Sequence, residues 1–240
     1  MQTKMARTEK CTAIVLAAGQ GKRMGTKVQK QYLEICGKPV LYYSLNVFQN
    51  SDIIDEIILV VGENQDEYCR KEIVEKYNIN KVKKIITGGA ERYHSVWNGL
   101  QEIKGDAFER GYVFIHDGAR PFINDTILER VFAEVKQHKA CVVGMPVKDT
   151  IKIGNAEGFA DYTPNRAYVW QVQTPQVFLV ELVKGSYKKM MDLGITNVTD
   201  DAMVVENMTG EQVKLVEGSY QNIKITTPED LKIAEVFVKK

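Results

Sequence analysis

The residues from Thr12 to Gln31, TAIVLAAGQGKRMGTKVQKQ, constrain the fold more than any other stretch of the chain. Ala13 to Ala17 are apolar or small, carry no helical period and include β-branched types. A short run of that kind, closed by glycine, reads as a buried parallel strand, the signature of an α/β sheet. The strand empties into a loop that holds Gly19, Gly21 and Gly25 together with Lys22, Arg23, Lys27 and Lys30. Glycines let the backbone approach a bulky anion, and successive N–H groups form an anion nest. The cations would hold the charge of a nucleotide triphosphate. The loop is not a Walker loop, because no Gly-Lys-Ser/Thr follows at the right spacing. Met24 stands where the third glycine of a dinucleotide fingerprint belongs. On spacing alone, a glycine-rich turn with solvated cations stays open beside the phosphate-binding reading.

The rest of the chain alternates strands with helices. Pro39 suits the first turn of a helix, where its missing N–H costs nothing, and Val40, Leu41, Leu45 and Phe48 then share one helical face. Residues 53–62 form a second strand and Gln65 to Tyr77 a helix. Residues 81–87 form a third strand, ended by Gly88 and Gly89, and Glu91 to Ile103 a helix. Residues 111–121 are a fourth strand running into a second loop. Ile127, Leu128, Val131, Phe132 and Val135 mark a helix, and 140–147 a fifth strand. This rhythm predicts a Rossmann-like, mostly parallel sheet flanked by helices, with right-handed crossovers. In such sheets the ligand lies beyond the carboxyl ends of the strands. The Gly19–Lys30 loop, Gly88–Glu91 and Asp117–Arg120 all follow strand ends and so converge on one edge.

From Lys148 to Gln173 the rhythm breaks. Short polar strands, DTIKI and RAYVWQVQ, flank the turn GNAEG. A two-stranded excursion is marginal alone and must pack on something, its own domain or another subunit. The α/β pattern then returns: a helix over Phe178 to Leu193, Thr199 as N-cap of the next, strands at 212–218 and 222–226, and a last helix capped by Thr227 with Pro228 at its first position. No linker interrupts the chain, so residues 1–240 read as one domain with a protruding β-arm.

Lys and Arg number 32 against 31 Asp and Glu, a balance that argues against a nucleic-acid or membrane-surface role. No run approaches 18 apolar residues, and MQTKMARTEK lacks the apolar core of a secretory signal. Cys11, Cys36, Cys69 and Cys141 show no CxxC spacing and read as reduced cytoplasmic thiols. His94, His116 and His138 match no metal pattern, and His116 reads as a packed or hydrogen-bonded strand-end residue.

The segments LAAGQGKRMG, GGAERYHSV (88–96), HDGARPF (116–122), PVKDTIK (146–152), QTPQVF (173–178), TDDA (199–202) and NIKITTPEDL (222–231) carry a resemblance. The first is similar to the signature of the sugar-nucleotide-type nucleotidyltransferases. All of them, in this order, resemble the 2-C-methyl-D-erythritol 4-phosphate cytidylyltransferase family. The resemblance implies CTP and a polyol phosphate as substrates, Mg2+ as cofactor, and a homodimer joined by 148–173 as an arm that embraces the second subunit. It implies Arg23 and Lys30 on the triphosphate, Lys224 drawing in the attacking phosphate, and Arg166 holding the second substrate's phosphate. Ala17, Ala18, Gly19, Gly21, Gly89, Ala90 and Ser95 match the nucleotide wall. Asp117 and Arg120 match the polyol and metal end, with Asp117 the metal residue, and Thr150, Thr174 and Thr199 match hydroxyl contacts to the sugar phosphate. Trp97 and Trp170 read as packing residues. The chain departs from the pattern at Ala90, where an acid is usual, at Gly118, where a usual alanine gives way to a looser backbone, at Asn165 for aspartate, and in TDDAM for TDEAS.

Such a transfer needs no nucleophile–base pair, since the attacking phosphate monoester is already ionised; no such pair stands out. Two rivals share these motifs: a ribitol 5-phosphate cytidylyltransferase of teichoic-acid synthesis, and a catalytically silent CTP-binding regulator.

Overall fold

The computed structural model describes residues 9–19 and 28–239. The leading run becomes β1 (Cys11–Ala17), followed by a short hairpin, β2 (Glu34–Ile35) and β3 (Lys38–Pro39), and by α1 (Val40–Asn50). Pro39 thus precedes the helix by one residue instead of opening it. Next come β4 (Glu56–Val61) and α2 (Asp66–Cys69), which continues as π-helical turns over Arg70–Glu75. β5 (Val82–Thr87), α3 (Arg92–Gln101), α4 (Asp106–Arg110), β6 (Tyr112–Asp117), α5 (Asp125–His138) and β7 (Ala140–Pro146) follow. A small hairpin, β8 (Ile153–Gly154) and β9 (Ala160–Tyr162), precedes β10 (Trp170–Leu179), α6 (Val180–Asp192), α7 (Asp201–Thr209), β11 (Lys214–Glu217) and α8 (Pro228–Val238).

Seven strands form one sheet in the order β11-β7-β10-β6-β1-β4-β5. All neighbours are parallel except β10, which runs antiparallel between β6 and β7. Both faces are covered, as parallel strands require. β1 sends Ala13 and Val15 to the face packed by α1, α2 and α5, and Ile14 to the face packed by α3, α6 and α7. Each fully buried valine or isoleucine side chain contributes about 1.5–3 kcal/mol. A third, smaller cluster joins Ile35 and Val40 to Ile225 and Ala234 of α8.

Four expectations need correction. The segment RAYVWQVQ is not an arm strand: Arg166–Tyr168 is a 3-10 turn, and Trp170 opens β10 of the main sheet. For the same reason Phe178 belongs to β10, and the helix starts at Val180. NIKIT buries Asn222 and Ile225 with Ile223 and Lys224 half-buried between them, so it does not alternate, and it forms no ladder; Ile225 N donates to Ala119 O instead. The N-cap of α7 is Asp200, whose Oδ1 accepts from Met203 N at 2.9 Å, and not Thr199. The short helix α4 was not anticipated. The Thr227 cap holds, with Asp230 closing a capping box and Pro228 at the first turn.

Candidate functional site

The carboxyl ends of β1, β5 and β6 open on one cleft of about 1040 Å³. Ala18, Gly19, Lys30, Gly89, Ala90, Ser95, Asp117 and Lys224 all line it. The described residues of the three loops that the sequence placed on one edge therefore do meet there. Gly21 and Arg23 lie outside the described residues.

Two polar anchors shape the nucleotide wall. Gln31, fully buried, donates from Nε2 to Ala17 O at 2.6 Å and to Gly19 O at 3.1 Å, fastening the glycine loop to the end of β1. Ser95 Oγ accepts from Gly89 N at 3.0 Å and so fixes the turn after β5. That turn approaches β1 so closely that a Cβ on Gly88 would sit 2.6 Å from both Ala18 Cβ and Ser95 Oγ. Gly118 is similarly enclosed: a Cβ there would lie 2.8 Å from Leu41 Cδ1 and 3.0 Å from Leu16 O. The glycine is therefore a tight fit and not the looser backbone expected.

Asp117 ends β6 at the cleft rim. Its Oδ2 accepts from Lys224 Nζ at 2.6 Å, and its Oδ1 from Arg92 Nε at 3.3 Å. Burial pushes this carboxyl up, but Arg92 and Lys224 outweigh it and hold the group well below the usual carboxylate range. Asp117 N donates to Thr174 Oγ1 at 3.1 Å. This pairing exists because antiparallel β10 brings Thr174 to the same edge. The hydroxyl faces His116 Nδ1 at 3.0 Å, while Nε2 of that ring lies 3.1 Å from Arg120 O. The carbonyl needs a proton donor, which assigns the hydrogen to Nε2 and leaves Nδ1 to accept from Thr174. The ring is buried and hydrogen-bonded at the strand end, as expected, and burial pushes the imidazole down to about 4, so it is neutral.

The other expected residues sit elsewhere. Arg120 Nη1 donates to Asn222 O at 2.8 Å, so its guanidinium braces the segment before Lys224. Thr150 and Arg166 are exposed on the excursion that carries β8 and β9, and neither lines the cleft; Arg166 Nη1 donates to Lys148 O at 2.7 Å. Thr199 lines a second cavity of about 340 Å³ with Tyr187, Asp200 and the far side of Arg92. Ala17 lies below the cleft in β1. Trp97 packs parallel to Tyr187 with ring centroids 6.4 Å apart, a packing role as expected.

Sequence reasoning missed Arg92, Gln31 and Asp201. Arg92 stands inside GGAERYHSV directly after the cleft glycines, a visible cation with no assigned role. Its Nη1 and Nη2 donate to Asp201 Oδ1 and Oδ2 at 2.8 and 2.7 Å. Among the described residues, no group of three or more His, Cys, Asp or Glu is arranged to hold a metal ion. A single ionised carboxylate at a cleft with room for substrate phosphates is nevertheless a donor set that magnesium takes, since it completes its shell with those phosphates and water. Asp117 fits that description only through the second lone pair of each oxygen, since Oδ2 already accepts from Lys224 and Oδ1 from Arg92. No helix among the described residues is long and apolar enough to cross a membrane.

The arrangement can seat a nucleotide base against backbone at Ala18 and Gly89 and gather phosphates between Lys30 and Lys224. Comparison with known proteins points the same way. Residues 11–240 match the family described as IspD, 2-C-methyl-D-erythritol 4-phosphate cytidylyltransferase. A protein of that name from Lachnospira eligens is 51% identical over 229 residues, 95% of this chain and 99% of the relative. One from Lachnoclostridium phytofermentans is 47% identical over 232 residues, 97% of each. Among solved structures, the 4-diphosphocytidyl-2C-methyl-D-erythritol synthase of Anaerococcus prevotii superposes with a TM-score of 0.84 at 35% identity over 97% of both chains.

Proposed function

This chain belongs to the 2-C-methyl-D-erythritol 4-phosphate cytidylyltransferase family, enzymes that transfer CMP from CTP to that acceptor, and from this premise we propose how its own residues carry the reaction. An oxygen of the acceptor phosphate attacks the α-phosphorus of CTP in line, the bond to the bridging oxygen breaks, and pyrophosphate leaves. Both substrates are anions, so catalysis is positioning and charge stabilisation. Lys30 and Arg23 hold the triphosphate. Lys224, fixed by Asp117, draws the acceptor phosphate toward the α-phosphate. Backbone at Ala18, Gly89 and Ala90 reads the base. Asp117 would hold magnesium, which when bound neutralises charge on the triphosphate oxygens.

The observation that carries this reading is that the Asp117–Lys224 pair and Lys30 line one cleft together with the glycine turns. Arg166 and Thr150 lie away from this cleft, which supports a homodimer in which each arm serves the partner's site. Exposed Phe159, Tyr162 and Tyr168 along 148–173 give that arm an apolar face to bury. Residues 1–240 are on this reading one catalytic domain with its arm, working in the cytoplasm, where CTP is made.

Pyrophosphate release from CTP and magnesium, run in parallel with 2-C-methyl-D-erythritol 4-phosphate, ribitol 5-phosphate and no acceptor, tests the reading. Release only with the methylerythritol compound is expected. Release only with the ribitol compound, or CTP binding without release, overturns it.

A further inference from the structure

Asp201 opens α7, and its carboxyl group is fully buried. It grips Arg92 with two short, parallel bonds and accepts a third from Tyr187 Oη at 2.5 Å. Tyr187 is itself fully buried on α6. From Asp201 the contacts run on without a gap: Arg92 Nε to Asp117 Oδ1, then Asp117 Oδ2 to Lys224 Nζ. One chain of hydrogen-bonded charges thus links α6, α7, the first residue of α3, the end of β6 and the segment before α8. The two carboxylates and two cations balance, so the cluster as a whole is neutral.

A buried ion pair is weak as a stabiliser, because desolvation of the charges offsets most of their attraction; apolar residues of like volume often do as well. Stability therefore does not explain this one. Geometry does. A guanidinium has two bidentate edges, and left alone with one carboxylate it would take it with two nitrogens. Asp201 takes one N–H from each of Nη1 and Nη2, and Nε is the nitrogen that reaches Asp117, at 3.3 Å. Asp117 then keeps Oδ2 for Lys224. Arg92 is less than a third exposed, so its guanidinium is held between the two carboxylates and not out in solvent.

We propose that Asp201 is a positioning residue for the transfer: by holding Arg92 it fixes Asp117 and hence Lys224 in the reacting geometry. The inference rests on the roles proposed above for Asp117 and Lys224. Without Asp201, Arg92 is no longer held on Asp117, and Asp117 and Lys224 lose the contact that fixes them. A misplacement of about 1 Å costs on the order of 10²-fold in rate.

The test measures kcat, CTP affinity by calorimetry without acceptor, and thermal unfolding in parallel, with Lys224→Ala as control. Asp201→Asn is expected to lower kcat by about 10²-fold while CTP affinity stays within about threefold. Tyr187→Phe, which keeps the ring and removes one bond to Asp201, is expected to lower kcat several-fold and serves where Asp201→Asn does not fold. The double variant Arg92→Met, Asp201→Leu is expected to fold and to remain slow. Parent-like kcat in folded Asp201→Asn or Tyr187→Phe overturns the proposal, as does parent-like kcat in the double variant. Equal losses of kcat and CTP affinity overturn it too. If Lys224→Ala turns over normally, the site reading itself has failed, whatever Asp201 does.

Discussion

At the residue scale the site is built on hydrogen bonds whose partners are far apart in sequence, and Thr174 is one of the residues they commit. Family resemblance assigns it to the sugar phosphate, but its hydroxyl is spent on Asp117 N and His116 Nδ1. Replacing it by valine, of nearly the same shape, leaves a buried N–H and a buried ring nitrogen without partners. Each such loss costs roughly 1–3 kcal/mol. Thr174→Val is thus expected to lower the denaturant midpoint clearly and to slow turnover by loosening Asp117, whereas Thr174→Ser keeps both near parent values. A valine variant with parent stability but a raised KM for the acceptor would show that the hydroxyl faces substrate. The three site cations Lys30, Arg92 and Lys224 differ in the same way. Lys30 and Lys224 were legible because the family resemblance assigns each a role. Arg92 was not, because its meaning comes from Asp201, 109 residues away.

Elements carry the site by where they end. The end of β5 and the start of α3 press on the end of β1, and glycine at 88 is what allows it. Gly88→Ala places a methyl group against Ala18 and Ser95, neither of which has a flexible end to move aside. The nucleotide wall must then open by several tenths of an ångström. CTP affinity is expected to fall at least tenfold in calorimetry with thermal stability little changed, and unchanged affinity would show that the wall does not read the base. The arm makes a second prediction. If 148–173 joins two subunits, Phe159→Asp with Tyr168→Asp turns a sedimenting dimer into a monomer, and a parent protein that is already monomeric at micromolar concentration refutes the arm. Periodicity found most helices and parallel strands, since each signals through its own residues. It failed at β10, where Gln171, Gln173, Pro175 and Gln176 mask a strand of the main sheet. Gln173 and Gln176 can be buried there only because distant groups satisfy their amides: Gln173 bonds Ser219 O, and Gln176 bonds Ala202 N and Asp200. Nothing local records such partners. NIKIT failed in the opposite sense: its residues read as a strand, but a strand also needs a neighbour.

For the whole molecule, two buried thiols make folding itself sensitive to alkali. Cys69 on α2 and Cys141 on β7 belong to the same core cluster and are wholly buried. Burial pushes Cys69 up to about 11, against a smaller opposing effect of its hydrogen bond with Tyr32. Burial pushes Cys141 up to about 12, with Glu134 adding to it. In the unfolded chain both thiols ionise near 9. Below that pH neither state releases a proton, so the thiols add no pH dependence. Above it the unfolded chain releases protons that the folded chain keeps, and stability falls as pH rises. The slope is about 1.4 kcal/mol per pH unit for each thiol, ending near 11 for Cys69 and near 12 for Cys141. Burial raises the phenols of Tyr32 and Tyr187 as well, which steepens the same limb at higher pH. Urea midpoints between pH 8 and 11 separate the contributions. Cys69→Ala and Cys141→Ala each lower stability at pH 8 through lost packing, but each also removes one proton from the slope, so the curves of parent and variant converge as pH rises. Parallel curves would mean that the thiols already ionise in the folded state, and the core around them would then have to be wet. A direct count agrees or disagrees at once: Cys36 alone of the four is exposed, so native protein at pH 8 takes up one equivalent of a maleimide quickly and the other three only as the whole fold opens.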